Sequence, residues 1–132
     1  MKYMLDTNIC SYILKNRPIE VKQRFDEAGM VNISISAIVL AELYYGAARH
    51  PKGVVIRREI DDFVSRLTVV PWDEGAADHY GAIRSTLEKT GNLVGALDML
   101  IGAHARSRKI TLVTNNQREF ERIDGLKTIN WL

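Results

Sequence analysis

The chain has a single cysteine, Cys10, so no disulfide can close within it, and a reducing cytoplasm is the simpler expectation. Long hydrophobic runs are missing as well. No window holds the roughly 18 uninterrupted apolar residues of a membrane span. Residues 28–48 come nearest, and Asn32, Ser34, Ser36 and Glu42 interrupt them. The opening residues, MKYMLDTN, meet an aspartate at once, which leaves no apolar run of signal-peptide length. There is no Pro/Gly-rich linker, no repeat and no low-complexity tract. Charge of one sign is lacking too: 18 basic against 16 acidic residues give a net charge of +2. That balance neither argues for a nucleic-acid partner nor opposes one.

What is present is ordinary globular material. An apolar fraction of 46% and a charged fraction of 26% over 132 residues fit a soluble protein with one core. A single domain over residues 1–132 is expected. KYML (2–5) reads as a strand closed by Asp-Thr-Asn, a helix-cap triplet. A first helix follows over about Ile9–Lys15, and Pro18 opens a second that stops at Gly29. VNISI (31–35) is β-branched and alternating, hence a strand, after which Ser36 caps a helix carrying Glu42. Pro51 and Gly53 end that helix, and a mostly polar helix covers about 54–66. TVVPW (68–72) is a third strand. Asp73 starts a long helix that ends near Gly91, and another helix runs over about 98–108. ITLVTN (110–115) is a fourth strand, QREFERI a short helix, and KTINW a closing edge strand. Strands alternating with helices predict an α/β domain: a mostly parallel sheet of four to five strands with helices on both faces. Ligands bind such sheets beyond the carboxyl ends of the strands. That directs attention to Asp6, the start of the Glu42 helix, and Thr114-Asn115-Asn116.

Three acids stand alone. Asp6 is the only charge between Lys2 and Lys15, Glu42 the only one between Glu27 and Arg49, and Asp98 the only one between Lys89 and Arg106. An ionised carboxylate buried without a partner is costly and takes up a proton instead. Asp6 and Asp98 each also fit a helix N-cap. Glu42 lies too far inside its helix for that, and its plain alternatives are a buried arginine partner or a half-exposed, partner-facing position. If the three meet, they repel one another, and a divalent cation such as Mg²⁺ or Mn²⁺ removes the conflict.

MLDTNI, AELYYGA around Glu42, DMLIGAHA from Asp98 and LVTNNQREFERI together resemble the PIN-domain ribonucleases. More closely, they resemble the VapC toxins of bacterial toxin–antitoxin systems. The likeness runs from Met4 to Trp131, and the closing segments look most like the group that cleaves initiator tRNA in the anticodon stem-loop. The resemblance implies a PIN-like fold and Mg²⁺-dependent hydrolysis of RNA (Mn²⁺ as substitute), leaving a 5′-phosphate and a 3′-hydroxyl. It also implies a homodimer, and a VapB-type antitoxin that wraps the toxin and covers its acidic site. It places the family's acids on Asp6, Glu42 and Asp98, with Asp6 and Asp98 holding metal and Glu42 as a ligand or the group orienting the attacking water. A frequent fourth acid falls on Asn116, a departure that brings no charge. Glu119 is expected to be a solvated helix residue. Thr7 and Asn8, with Asn115, are expected to hydrogen-bond to the carboxylates.

Cations for the RNA backbone are sought at Arg84, Arg106, Arg108 and Lys109, each also readable as a solvated charge. None of His50, His79 and His104 has metal-ligand spacing. Competing readings are a phosphatase or receiver-type phosphotransfer domain, and a degenerate PIN domain that binds RNA or a partner without cutting. A receiver lacks its second acid here, because Asp6 is followed by Thr-Asn.

Overall fold

The computed structural model describes all 132 residues. Five short strands, β1 (Tyr3–Leu5), β2 (Ile33–Ser36), β3 (Thr68–Val70), β4 (Thr111–Val113) and β5 (Thr128–Ile129), form one sheet in the order β3-β2-β1-β4-β5. Every pairing is parallel. Seven α-helices connect them: α1 (Thr7–Lys15), α2 (Ile19–Ala28), α3 (Ala37–Ala48), α4 (Gly53–Ser65), α5 (Glu74–Thr90), α6 (Ala96–Arg108) and α7 (Gln117–Phe120). None of them is long and apolar enough to cross a membrane.

The chain leaves β1 toward β2 and β3 on one side, then returns to place β4 on the other. With right-handed crossovers, α1–α4 pack on one face of the sheet and α5–α6 on the opposite face. The contacts agree, because α1 touches α2, α3 and α4, while α5 packs chiefly on α6. β1 is therefore the point where strand order reverses, and a crevice opens beyond its carboxyl end.

Burial explains the strands better than alternation does. All four residues of β2, Ser34 and Ser36 included, are buried, as expected of a parallel strand covered on both faces. The Ser34 hydroxyl is satisfied by donating to the Tyr3 carbonyl at 3.0 Å.

Several boundaries differ from those expected. Met30–Asn32 forms a 3₁₀ turn and β2 begins only at Ile33. Asn32 is held in that turn because its side chain donates to the Ala28 carbonyl at 2.9 Å. β3 ends at Val70, before Pro71, which has no N–H for the ladder. Gly53 opens α4 instead of ending α3. The helix after β4 covers only Gln117–Phe120, and the last strand is reduced to Thr128–Ile129. α6 starts at Ala96, so Asp98 lies inside its first turn and is not its cap.

One cluster of 28 buried apolar residues fills both sides of the sheet. Phe120, 1% exposed, anchors α7. Gly102 lets this segment approach α6: a Cβ there would sit 2.7 Å from Ile123 Cδ1 and 3.5 Å from Phe120 Cδ1. Gly102→Val is expected to destabilise the fold by about 1–3 kcal/mol through overpacking, read as a lower midpoint in urea unfolding.

Candidate active site

Asp6 is the first residue beyond β1. Its N–H still donates to the Val113 carbonyl at 3.0 Å, so the backbone is held by the neighbouring strand as it turns. The side chain then accepts from the Ile9 N–H at 2.9 Å and caps α1. The same carboxylate is 6% exposed. Burial raises its pKa most, against the opposing hydrogen bonds from the Thr114 hydroxyl and Ile9 N–H, and the Glu42 charge raises it further. Capping and clustering are thus combined in one residue.

Glu42 projects from α3, half-buried. Thr7, the first residue of α1, donates its hydroxyl to Glu42 Oε1 at 2.7 Å. This bond ties the second acid to the residue that follows the first. Asp98 is also half-buried, and its carboxyl is pushed up to about 6, first by burial and then by the charges of Glu119, Asp6 and Glu42. A carboxyl that gives up its proton only near pH 6 is what burial beside like charges produces.

Glu119 corrects the expectation of a solvated helix residue. Its Oε1 accepts from the Gly95 N–H at 3.0 Å and its Oε2 from the Asn116 side-chain amide at 2.6 Å. These bonds hold its pKa below the usual glutamate value. Gly95 is the cap position of α6 and has no capping side chain of its own, so Glu119 serves the helix that carries Asp98. Asn116 therefore stands next to a fourth acid instead of replacing one. Its capacity to orient Glu119 was not visible in a motif that reads Asn where an acid is frequent. Glu119→Gln is expected to bring the Asp98 titration down from about 6, measured by carboxyl-carbon NMR. An Asp98 titration that does not move would remove Glu119 from the cluster.

The neighbouring polar residues divide. Thr7 bonds to Glu42 as expected. Asn8 does not reach the acids with its side chain, which is exposed; its backbone N–H favours ionised Asp6. Asn115 donates to the Tyr12 hydroxyl at 2.8 Å, away from the carboxylates. Thr114, fully buried, takes the role expected of Asn115, because its hydroxyl bonds to Asp6 and its Oγ1 accepts from the Asn116 N–H at 3.0 Å. The β-branched strand pattern hid it.

None of the four cations expected to meet RNA phosphates hydrogen-bonds or pairs with the acids. Arg106, Arg108 and Lys109 lie at the far end of α6 from Asp98, about 12–16 Å along the axis at 1.5 Å per residue. Arg106 is occupied by His79 Nδ1 and the Asp124 carbonyl. Arg84 pairs with Glu88 and bonds to the Tyr80 hydroxyl on α5. Lys15 and Arg49 line instead a groove of about 880 Å³ that begins at Thr7 and Glu42. Apolar side chains, among them Leu14, Leu43, Ile60 and Leu97, make up much of the rest.

None of the chain's salt bridges involves Asp6, Glu42, Asp98 or Glu119. No three acidic, histidine or cysteine side chains converge tightly enough to enclose an ion by themselves. The donor set, hard carboxylate oxygens outside any salt bridge, suits a cation such as Mg²⁺ that keeps several waters and takes one or two protein carboxylates. It does not suit an ion that needs a closed cage of imidazole or thiolate.

Comparison with known proteins follows the same lines. The description of the PIN domain matches residues 3–126. The chain is 47% identical to ribonuclease VapC2 of Haemophilus influenzae, with 100% of this chain and 99% of the relative aligned. It is 45% identical to the tRNA(fMet)-specific endonuclease VapC of Shigella flexneri, over 99% of this chain and 98% of that protein. The VapC chain in the DNA-bound VapBC complex of Salmonella typhimurium superposes with a TM-score of 0.95 at 42% identity, over 100% of this chain and 99% of the other. The VapBC2 complex of Rickettsia felis, bound to a promoter fragment, gives 0.93 at 39% identity, with both chains fully covered. The chain belongs to the PIN-domain family, in its VapC branch.

Proposed function

We propose that the chain is a divalent-metal-dependent endoribonuclease, the toxin of a toxin–antitoxin pair, and that its substrate is the initiator tRNA. The observation that carries this reading is the crowd of four carboxylates at the carboxyl edge of a parallel sheet, none of them in a salt bridge; the Arg122 charge acts on Glu119 alone. A VapC endonuclease specific for tRNA(fMet), 45% identical to this chain, supports the substrate.

Asp6 and Asp98 would hold Mg²⁺ or Mn²⁺, directly or through water. When bound, the cation neutralises charge on the scissile phosphodiester and acidifies water. The chain's own groups do the positioning. The Ile9 N–H and the Thr114 hydroxyl fix the Asp6 carboxylate, so it need not reorganise as substrate arrives. Thr7 fixes one oxygen of Glu42, leaving the other to orient the attacking water and receive its proton. Glu119 and Asn116 hold the start of α6 and thereby Asp98. The groove from Glu42 along α3 and α4 fits an apolar antitoxin segment ending among the acids.

The test uses purified protein with initiator and elongator tRNAs, Mg²⁺ or Mn²⁺, and chelator controls. Cleavage of the initiator tRNA to 5′-phosphate and 3′-hydroxyl ends is expected. Metal-independent cleavage, or release of phosphate from small esters without RNA cleavage, would overturn the reading.

A further inference from the structure

Besides Ser34, two buried polar side chains take no part in the carboxylate cluster. Ser36 and His104 are both fully buried, and His104 Nδ1 lies 2.8 Å from Ser36 Oγ. Ser36 is the N-cap of α3, accepting from the Ile38 N–H at 3.1 Å, and Glu42 lies further along that helix. His104 lies on α6 beyond Asp98. No other side-chain hydrogen bond links the α3 cap to α6.

Proton accounting gives this bond a direction. The Ser36 oxygen already accepts from Ile38, and its one proton has His104 Nδ1 as acceptor. The ring is then the neutral Nε2–H tautomer, an assignment made from the network. Burial, with the Arg108 charge second, lowers the basicity of His104 and favours that neutral form, although Asp73 opposes it. Nε2 is buried with no hydrogen bond of ordinary geometry, although the Pro71 backbone interacts with the ring. An imidazole with one unpaired nitrogen is a costly way to fill a core. A leucine or phenylalanine would pack there without that cost, so packing alone does not account for histidine.

We propose that His104 is a positioning residue for the nuclease site: through its bond to Ser36 it fixes the start of α3 against α6 and so sets the spacing of Glu42 and Asp98. The inference rests on the nuclease reading above. Without the bond, no side-chain hydrogen bond ties the start of α3 to α6, and packing alone tolerates sliding. A misplacement of about 1 Å costs on the order of 10²-fold in a step that depends on placed groups.

Three substitutions separate this role from simple packing. His104→Asn keeps an acceptor near the Nδ1 position. His104→Gln reaches toward the Nε2 position and leaves the Ser36 hydroxyl proton without its acceptor, and His104→Leu removes both nitrogens. Each is measured for Mn²⁺ affinity by calorimetry without RNA, and for kcat and KM with RNA. Asn is expected to stay within about 3-fold of wild type. Gln and Leu are expected to lose about 10-fold in Mn²⁺ affinity and in kcat, with KM little changed. Adding Ser36→Ala to His104→Leu also removes the α3 cap and lowers stability, but the losses of kcat are expected to be less than additive, because both substitutions break the one bond between the helices. Gln and Leu behaving as wild type, or Asn and Gln losing equally, overturns the proposal. If Leu fails to fold, the Asn–Gln comparison decides. If the wild-type chain cleaves no RNA, the nuclease reading fails, while the Mn²⁺ titrations still decide whether His104 sets the carboxylate spacing.

Discussion

Asp6→Asn and Asp98→Asn are each expected to reduce RNA cleavage by about 10²–10³-fold at saturating metal while leaving the fold in place. Asparagine keeps the shape and one acceptor oxygen, so the Ile9 cap on Asp6 survives in weakened form. What is lost is the negative charge that holds a cation against the phosphodiester. The stability consequence runs opposite to the activity. Both carboxylates are raised in pKa by burial and by their acidic neighbours, so their ionised forms strain the metal-free fold. Asp98→Asn is therefore expected to unfold at the same temperature as the metal-free wild type at neutral pH, or at a higher one. The pair of measurements is an initial rate on RNA with Mg²⁺ and a thermal melt in chelator. Wild-type rates in both variants would remove these residues from the site.

The second large effect links pH to metal. Asp98 titrates at about 6 in the folded chain, against 3.8 for a free aspartate, so the folded state holds this proton more tightly than the unfolded state. As pH rises from about 4 to 6, the unfolded chain loses the proton first. The contribution of Asp98 to metal-free stability is complete below about pH 4 and falls across that window. The loss is on the order of 1 kcal/mol once solvent screening of a half-buried group is allowed for. Metal reverses the sign, because the cation takes the ionised carboxylate and displaces the proton. Mn²⁺ affinity is expected to fall about 10-fold between pH 7.5 and pH 5, with about one proton released per ion bound at the lower pH. Calorimetry in buffers of different ionisation enthalpy counts that proton. Asp98→Asn should remove both trends, so identical pH dependence in wild type and Asp98→Asn would contradict the assignment.

The resemblance to VapC rests on four motifs: MLDTNI and LVTNNQREFERI fall where a strand meets a helix, and AELYYGA and DMLIGAHA lie within α3 and α6. β1, β4 and the α3 cap were readable because a short apolar run followed by Asp, Thr or Ser marks a strand feeding a helix. The errors are local and have local causes. VNISI looks like one strand, yet the Asn32 side chain bonds back to Ala28 and keeps Met30–Asn32 in a turn. TVVPW is cut short by the missing N–H of Pro71. Glu119 reads as a surface residue because QREFER is mostly charged; only the fold brings its carboxylate to the Gly95 N–H. The arginine-rich end of α6 remains an expectation for RNA contact; helix geometry adds only that it lies at the opposite end of α6 from Asp98.

The sequence by itself determined the α/β alternation, the three isolated acids and the family. These are local facts: periodicity, capping residues, and a lone charge in an apolar window are all written in consecutive residues. The tertiary structure decided which groups share the site. Thr114 bonding to Asp6, Thr7 to Glu42, Glu119 to the cap of α6, and His104 to the cap of α3 each join segments far apart in the chain. Such bonds depend on strand order and crossover handedness, which set distance and direction between elements. No run of neighbouring residues carries that information.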